Sequence, residues 1–275
     1  MSSRVSIALI VPSRGRPESL KAVLRALQAT ASGEHDVTYA VSFCRDDLAT
    51  EKAAFSVPRV KAFQRPKDCT PGAAFNNVVR RLPLHDIYTG FCDDVFPLTW
   101  RWDEYLAHAL RHPMVCFCWQ EMTDPRNASY IASSGRVLKA IGDLCPEYFP
   151  YWFVDLWLAE IHHLAFGFRP AIVDGLQLVG ARGKTQGFRD FIFWCRLFTF
   201  TRPERIRLAV KLAAEYTAQP PDMRSALEIC HFFDQDFRGK AERFTTQFGS
   251  NAEPEPYYLL AKQRAEAMLA EQAAA

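Results

Sequence analysis

The sequence has no cysteine pair at the spacing of a zinc ribbon or a dithiol redox motif. Its eight cysteines stand at 44, 69, 92, 116, 118, 145, 195 and 230, and the two nearest flank Phe117 in an apolar run. A scattered set of this kind argues for reduced thiols and a cytoplasmic protein rather than a disulfide framework. The sequon Asn127-Ala128-Ser129 is then without meaning, because glycosylation needs a secretory compartment. Excess charge of one sign is also lacking. Thirty-three basic residues against 31 acidic ones leave a formal net charge of +2, which carries no nucleic-acid footprint. No stretch reaches the roughly 20 apolar residues of a membrane span. The opening Met1-Ser2-Ser3-Arg4-Val5 has neither the apolar run nor the small-residue cleavage site of a secretory leader. No internal repeat is visible. His162-His163 and His231 have no second ligand at metal-binding spacing.

What is present is a large apolar fraction, 49% of 275 residues, enough for one sizeable core with an appendage. The first half alternates between strand and helix patterns. Val5 to Val11 is a continuous apolar run, as in a buried parallel strand. Glu18 to Ala29 places Leu20, Val23, Leu24 and Leu27 at helical spacing, with Pro17 near the start. Strands are expected over Val37 to Phe43, Val60 to Phe63 and Asp86 to Cys92, and a helix from Pro71 to about Arg81. Further on, helices are expected over Trp102 to Arg111, Ser133 to Ile141 and Phe153 to Ala165. Strands are expected over Met114 to Trp119 and Phe168 to Val173. From about Phe188 the chain is helical in character, including Arg202 to Ala218, Ser225 to Phe233 and Pro256 to Ala273.

The most informative feature is Asp93-Asp94, at the end of Ile87-Tyr88-Thr89-Gly90-Phe91-Cys92. Two adjacent carboxylates at the mouth of a buried strand need water, donors or a cation. In open α/β sheets ligands bind outside the carboxyl ends of the strands. Four other segments bear on the same region. Pro12-Ser13-Arg14-Gly15-Arg16 offers backbone N–H groups and arginines to an anion, or is an ordinary turn. Arg45-Asp46-Asp47 offers a carboxylate to a ribose or base, or is a polar turn. Gly72 to Asn77 opens a helix with small residues and asparagines, or simply caps it. Asp155 lies among Tyr151, Trp152, Phe153 and Trp157, where burial would tune a general base, or it sits in a helix's first turn beside core aromatics.

In this order the segments resemble the GT-A-fold glycosyltransferases, most closely the family-2-like group, over roughly residues 5 to 190. The resemblance implies a Rossmann-like, mostly parallel α/β sheet flanked by helices, with a helical C-terminal extension. It divides the chain into a GT-A domain over 1–190, with a nucleotide half over about 1–103 and an acceptor half over about 104–190, and an extension over 191–275. It implies transfer of a hexose-like sugar from a UDP- or GDP-type nucleotide sugar to a glycan or small-molecule hydroxyl, with inversion, assisted by Mn²⁺ or Mg²⁺. Pro12, Ser13, Arg14, Arg16, Asp46, Gly72, Asn76 and Asp93 fall on the nucleotide side. Asp94 matches the metal carboxylate, and Asp155, followed by Leu156-Trp157, matches the acceptor-side base. Trp102, Trp152, Trp157 and Lys184 fall on the sugar and acceptor side, with Asp190 after Lys184 in a Gly-Lys…Asp element.

Three positions depart from the pattern. Val95 stands where a third carboxylate is often found. Val154 replaces a Glu before the base. Residues 176–180 hold no His, which leaves Gln177 as the nearest substitute ligand. These departures keep open a GT-A module that binds a nucleotide or sugar without turnover. A nucleotidyltransferase is a further alternative, though Pro12 to Pro17 holds a single Gly. Phe191, Phe193, Trp194, Phe198 and Phe200 mixed with arginines leave open peripheral membrane contact. A C-terminal subdomain packing these aromatics on the sheet or on a second copy of the chain is the plainer expectation.

Overall fold

The computed structural model describes residues 4–67, 69–112, 114–121, 124–150, 153–180, 190–216 and 256–273. Nine strands among the described residues form one sheet. The parallel half comprises β1 (Ser6–Ser13), β2 (Asp36–Cys44), β3 (Val60–Arg65) and β4 (Ile87–Gly90), ordered β3-β2-β1-β4. β7 (Asp124–Ser134) joins β4 antiparallel, and β6 (Val115–Glu121) joins β7 antiparallel. β8 (Ala171–Ile172) and β9 (Gln177–Gly180) pair parallel with β6, and β5 (Val95–Pro97) closes the edge antiparallel to β9.

One face of the sheet is covered by α1 (Pro17–Thr30), α2 (Leu48–Phe55) and α4 (Trp102–Ala109). In α1 the four residues at helical spacing, Leu20, Val23, Leu24 and Leu27, are fully buried, each contributing about 1.5–3 kcal/mol of transfer energy. The other face carries α3 (Pro71–Val79), α5 (Gly135–Ile141), α6 (Val154–Phe166), α7 (Phe191–Phe200), α8 (Arg202–Tyr216) and α9 (Pro256–Ala273) around one core. The C-terminal helices therefore share this core. Phe191, Trp194 and Phe198 of α7 point inward and are buried. Glu160 on α6, fully buried, pairs with Arg202 at 3.1 Å and Arg205 at 3.2 Å on α8. No helix of the described residues is long and apolar enough to cross a membrane.

The strand expected over Phe168 to Val173 shrinks to the two residues of β8. The helix expected from Ser133 begins at Gly135. Ser133 and Ser134 end β7, and the Ser134 hydroxyl caps α5 by accepting from Val137 N at 3.4 Å. The helix expected over Ser225 to Phe233 lies outside the described residues.

Candidate active site

The parallel strands end together, and their last residues build the site. Ser13 closes β1, Cys44 closes β2, Arg65 closes β3, and Asp93-Asp94 follow β4. Registers fix this alignment: Ser13 faces Phe43, Cys44 faces Arg65 and Ile10 faces Gly90. Pro12 contributes backbone only, opposite Ser42.

After Ser13 the chain must reverse into α1. Gly15 does so at φ +67°, a left-handed conformation that costs glycine nothing. Its N–H donates to Asp47 Oδ2 at 2.6 Å. The same carboxylate caps α2, accepting from Thr50 N at 3.1 Å and the Thr50 hydroxyl at 2.6 Å. Burial opposes ionisation of Asp47, but these donors and the Arg14 charge outweigh it and hold its pKa below the ordinary value. Asp47, rather than Asp46, thus latches the two loops together. Asp46 lies alongside, half exposed, 3.3 Å from Lys67.

The carboxylate pair is embedded in donors. Asp93 is buried, with 6% exposure. Its Oδ2 accepts from the Ser13 hydroxyl at 2.6 Å, and its Oδ1 from Arg16 Nη1 at 3.2 Å. The same Nη1 donates to Asp94 Oδ2 at 2.6 Å. Ser19, in the first turn of α1, donates to the Asp93 carbonyl at 2.6 Å. Burial raises the Asp93 pKa, Ser13 and Arg16 oppose the rise, and Asp94 adds to it. Burial acts to lower the Arg16 pKa, but Asp93 and Asp94 outweigh it and push it up. Arg16 occupies the N-cap position of α1 without capping it, because its side chain reaches the two carboxylates instead.

Arg65 forms the cationic floor. It is 8% exposed; its Nη2 donates to Ser13 O at 3.4 Å and its Nη1 to Cys69 Sγ at 2.9 Å. Arg65 Nε and Arg14 Nη1 are buried with no hydrogen-bond partner among the described residues. Buried, unsatisfied guanidinium N–H groups are costly, and two beside one strand end are ready donors for an anion. Arg65 belongs to none of the motifs read from the sequence, and Asp47 enters there only within Arg45-Asp46-Asp47. A polar residue closing a parallel strand is the signal that points to Arg65.

Several expected site residues stand elsewhere. Gly72 is a packing residue: a Cβ there would lie 2.1 Å from Pro146 O. Asn76 is fully buried and spends its amide on the protein. It donates to Cys145 O at 2.8 Å and Glu147 Oε1 at 3.2 Å, and accepts from Leu144 N at 3.0 Å and Cys145 N at 3.3 Å. The structure gives both residues the task of holding segment 144–147 rather than a nucleotide. Trp102 has no exposed surface, and its indole donates to Leu27 O at 3.0 Å. Trp157 is 2% exposed within the core. Neither ring has a face free for a sugar. Gln177 is too far away to join Asp94. β5 and β9 pair Val95 with Gly180 and Pro97 with Leu178, and Leu98 N donates to Gln177 O. Gln177 is therefore beside Leu98, four residues or about 13 Å along the strand from Asp94. Trp152 and Lys184 lie outside the described residues.

Asp155 is half-buried in the first turn of α6, close enough to Cys145 for its charge to add to the burial that raises that thiol's pKa. The helix starts from Phe153 at φ 68°, a conformation costing about 1–2 kcal/mol for a side-chain-bearing residue. Phe191 and Phe198 stack on the Phe153 ring at 5.8 and 4.8 Å, which offsets that cost. The contacts with α7 thus help fix where α6, and Asp155 with it, begins.

The donor chemistry of Asp93 and Asp94 fits a hard divalent cation, which commonly takes one or two carboxylates and completes its shell with substrate phosphates and water. No cluster of three or more metal-ligating His, Cys, Asp or Glu occurs among the described residues. In this arrangement a guanidinium bridges the pair.

No family profile matches the sequence, and no curated protein does. Solved structures do match. A mannosyltransferase from Pyrobaculum calidifontis, in complex with GDP-Man and Mn²⁺, aligns with TM-score 0.54 and 16% identity over 98% of this chain and 81% of its own. S. aureus TarS aligns with TM-score 0.53 and 13% identity over 77% of this chain and 71% of its own. Glucosyl-3-phosphoglycerate synthase from Mycobacterium tuberculosis, in complex with Mn²⁺, UDP-Glc and phosphoglyceric acid, aligns with TM-score 0.50 and 13% identity over 79% of this chain and 81% of its own. The likeness establishes the fold: this chain has the GT-A, Rossmann-like architecture.

Proposed function

We propose that this chain is a glycosyltransferase that moves a sugar from a nucleoside-diphosphate sugar to an acceptor hydroxyl. One observation carries the reading: a carboxylate pair, buried Asp93 and partly exposed Asp94, stands at the carboxyl edge of a GT-A sheet with Ser13 and Arg16 on it. Two of the structural neighbours are in complex with GDP-Man or UDP-Glc, which supports a nucleotide sugar as the donor class. Seven described cysteines are all free, which supports a reducing, cytoplasmic setting.

In this reading the diphosphate lies over the Ser13–Arg16 loop, where Arg14, Arg16 and the buried Arg65 supply positive potential. Asp46 and Asp93 orient the nucleoside by accepting hydroxyl or N–H protons. Asp94, with Asp93, would hold Mn²⁺ or Mg²⁺, whose chemistry when bound is to offset charge on the departing diphosphate. Asp155 takes the proton from the acceptor hydroxyl as that oxygen attacks the anomeric carbon, giving inversion in one displacement. The bridge from Arg16 to both carboxylates favours a second reading, a GT-A module that binds a nucleotide or sugar without turnover, since it already gives the pair a counter-charge.

Transfer and donor hydrolysis with UDP- and GDP-sugars separate the readings. Asp94→Asn and Asp155→Asn should each lower turnover by at least 100-fold while the protein stays folded. Undiminished turnover in both variants would exclude the assignment, and nucleotide binding without any turnover in the unmodified chain would favour the module.

A further inference from the structure

We infer that Arg16 is a built-in counter-ion of Asp93-Asp94 that competes with a divalent cation for the same oxygens. The geometry points to it directly. A single nitrogen, Arg16 Nη1, lies 3.2 Å from Asp93 Oδ1 and 2.6 Å from Asp94 Oδ2. The other Asp93 oxygen is taken by Ser13. A cation ligated by both carboxylates would need Asp93 Oδ1, which Arg16 holds, and through either oxygen of Asp94 it would bring like charge up against the guanidinium.

Displacing Arg16 disturbs little else. Its side chain is half exposed, at 50%, so no core is uncovered when it leaves. Capping of α1 does not depend on it, since the position has no side-chain cap. Helix α1 stays anchored beside Asp93 through Ser19 and through the buried Leu20, Val23, Leu24 and Leu27. The ion pair is thus partly solvated and of modest strength, weak enough for a divalent ion to break and strong enough to be felt in its affinity.

Two consequences follow for the chain's own residues. Without a cation, Arg16 keeps the carboxylates paired and the loop after β1 in place. With one, the freed guanidinium lies two residues from Arg14 in the loop that begins α1, where it gains an anion as its new partner. By linkage, any anion that binds the released Arg16 must strengthen cation binding by the same factor. This second consequence rests on the reading of the loop as a diphosphate site; the competition itself does not.

The test is Mn²⁺ binding to the full chain, followed by the paramagnetic resonance signal of the free ion, with no nucleotide or sugar present. Arg16→Gln should bind Mn²⁺ about tenfold tighter than the unmodified protein or more. Arg16→Lys, which keeps the charge on a more flexible stem, should fall between them and serves as the working variant if Arg16→Gln does not fold. Asp94→Asn should abolish binding. Equal or weaker affinity in Arg16→Gln, or in Arg16→Lys where only that variant folds, overturns the competition. If Asp94→Asn still loses Mn²⁺ in that case, the carboxylate assignment stands and only the role of Arg16 falls. Absence of Mn²⁺ binding in every variant overturns both.

Discussion

The Ser13 hydroxyl donates a 2.6 Å hydrogen bond to the buried carboxylate of Asp93, tying the end of β1 to the residue pair that follows β4. It is a charge-assisted bond within the protein, and Asp93 has little water to replace it. Ser13→Ala should therefore destabilise the fold by about 1–3 kcal/mol and raise the Asp93 pKa further. Urea denaturation reads the first effect. Ser13→Thr keeps the hydroxyl and should recover most of the stability; equal loss in both variants would show that the bond is not what matters.

Asn76 makes four hydrogen bonds to segment 144–147 and has no exposed surface. Asn76→Leu would leave Leu144 N, Cys145 N and Cys145 O without this partner, at a cost of about 3 kcal/mol or more. Gly72→Ala acts on the same contact from the other side, since the added carbon would meet Pro146 O at 2.1 Å. It should cost about 1–3 kcal/mol through overpacking. The two sites act on one segment, so the double variant should lose less than the sum of the single losses. A thermodynamic cycle by urea denaturation checks this, and strict additivity would break the link.

The legible part of the sequence was the part with strong pattern. The apolar runs of β1 and β2 and the helical spacing in α1 set those elements to within two residues, and the βα order placed Asp93-Asp94 at the sheet's carboxyl edge. Helix α2 gave no such signal. Its buried residues are Thr50, Ala53 and Ala54, too small and mixed to read as an apolar stripe. Strand β7 opens with Asp124-Pro125-Arg126-Asn127, which reads as a turn, yet it pairs with β6. Gln177 failed for a different reason. Its distance from Asp94 depends on the β5–β9 register, which the sequence of short strands does not determine.

Trp102 shows how a site motif can conceal a core residue. The resemblance puts it on the sugar and acceptor side, but the ring packs 5.7 Å from Trp119 and its indole N–H donates to Leu27 O at 3.0 Å. Trp102→Phe should lower stability by about 1–3 kcal/mol and leave acceptor KM within about twofold. Steady-state kinetics beside a melting curve distinguishes the roles. A large KM rise in a variant of unchanged stability would restore the platform.

His162 gives the fold a dependence on pH. It is fully buried on α6, with the Phe166 ring 4.9 Å and the Phe168 ring 5.1 Å away. Burial pushes its pKa down to about 4, aided by the charge of His163. Above pH 6.5 the ring is neutral in both folded and unfolded chains, so it adds no pH dependence there. Between pH 6.5 and about 4 the unfolded chain takes up a proton that the folded chain refuses, and stability falls as the solution is acidified. The full loss is on the order of 3 kcal/mol, from 1.36 kcal/mol per pKa unit. His162→Phe removes this proton from the unfolded state and should flatten the curve in that window, with His163, also shifted down by burial, supplying what slope remains. Denaturation of both proteins from pH 4.5 to 7.5 measures it. Parallel curves would show that His162 already takes up its proton in the folded chain.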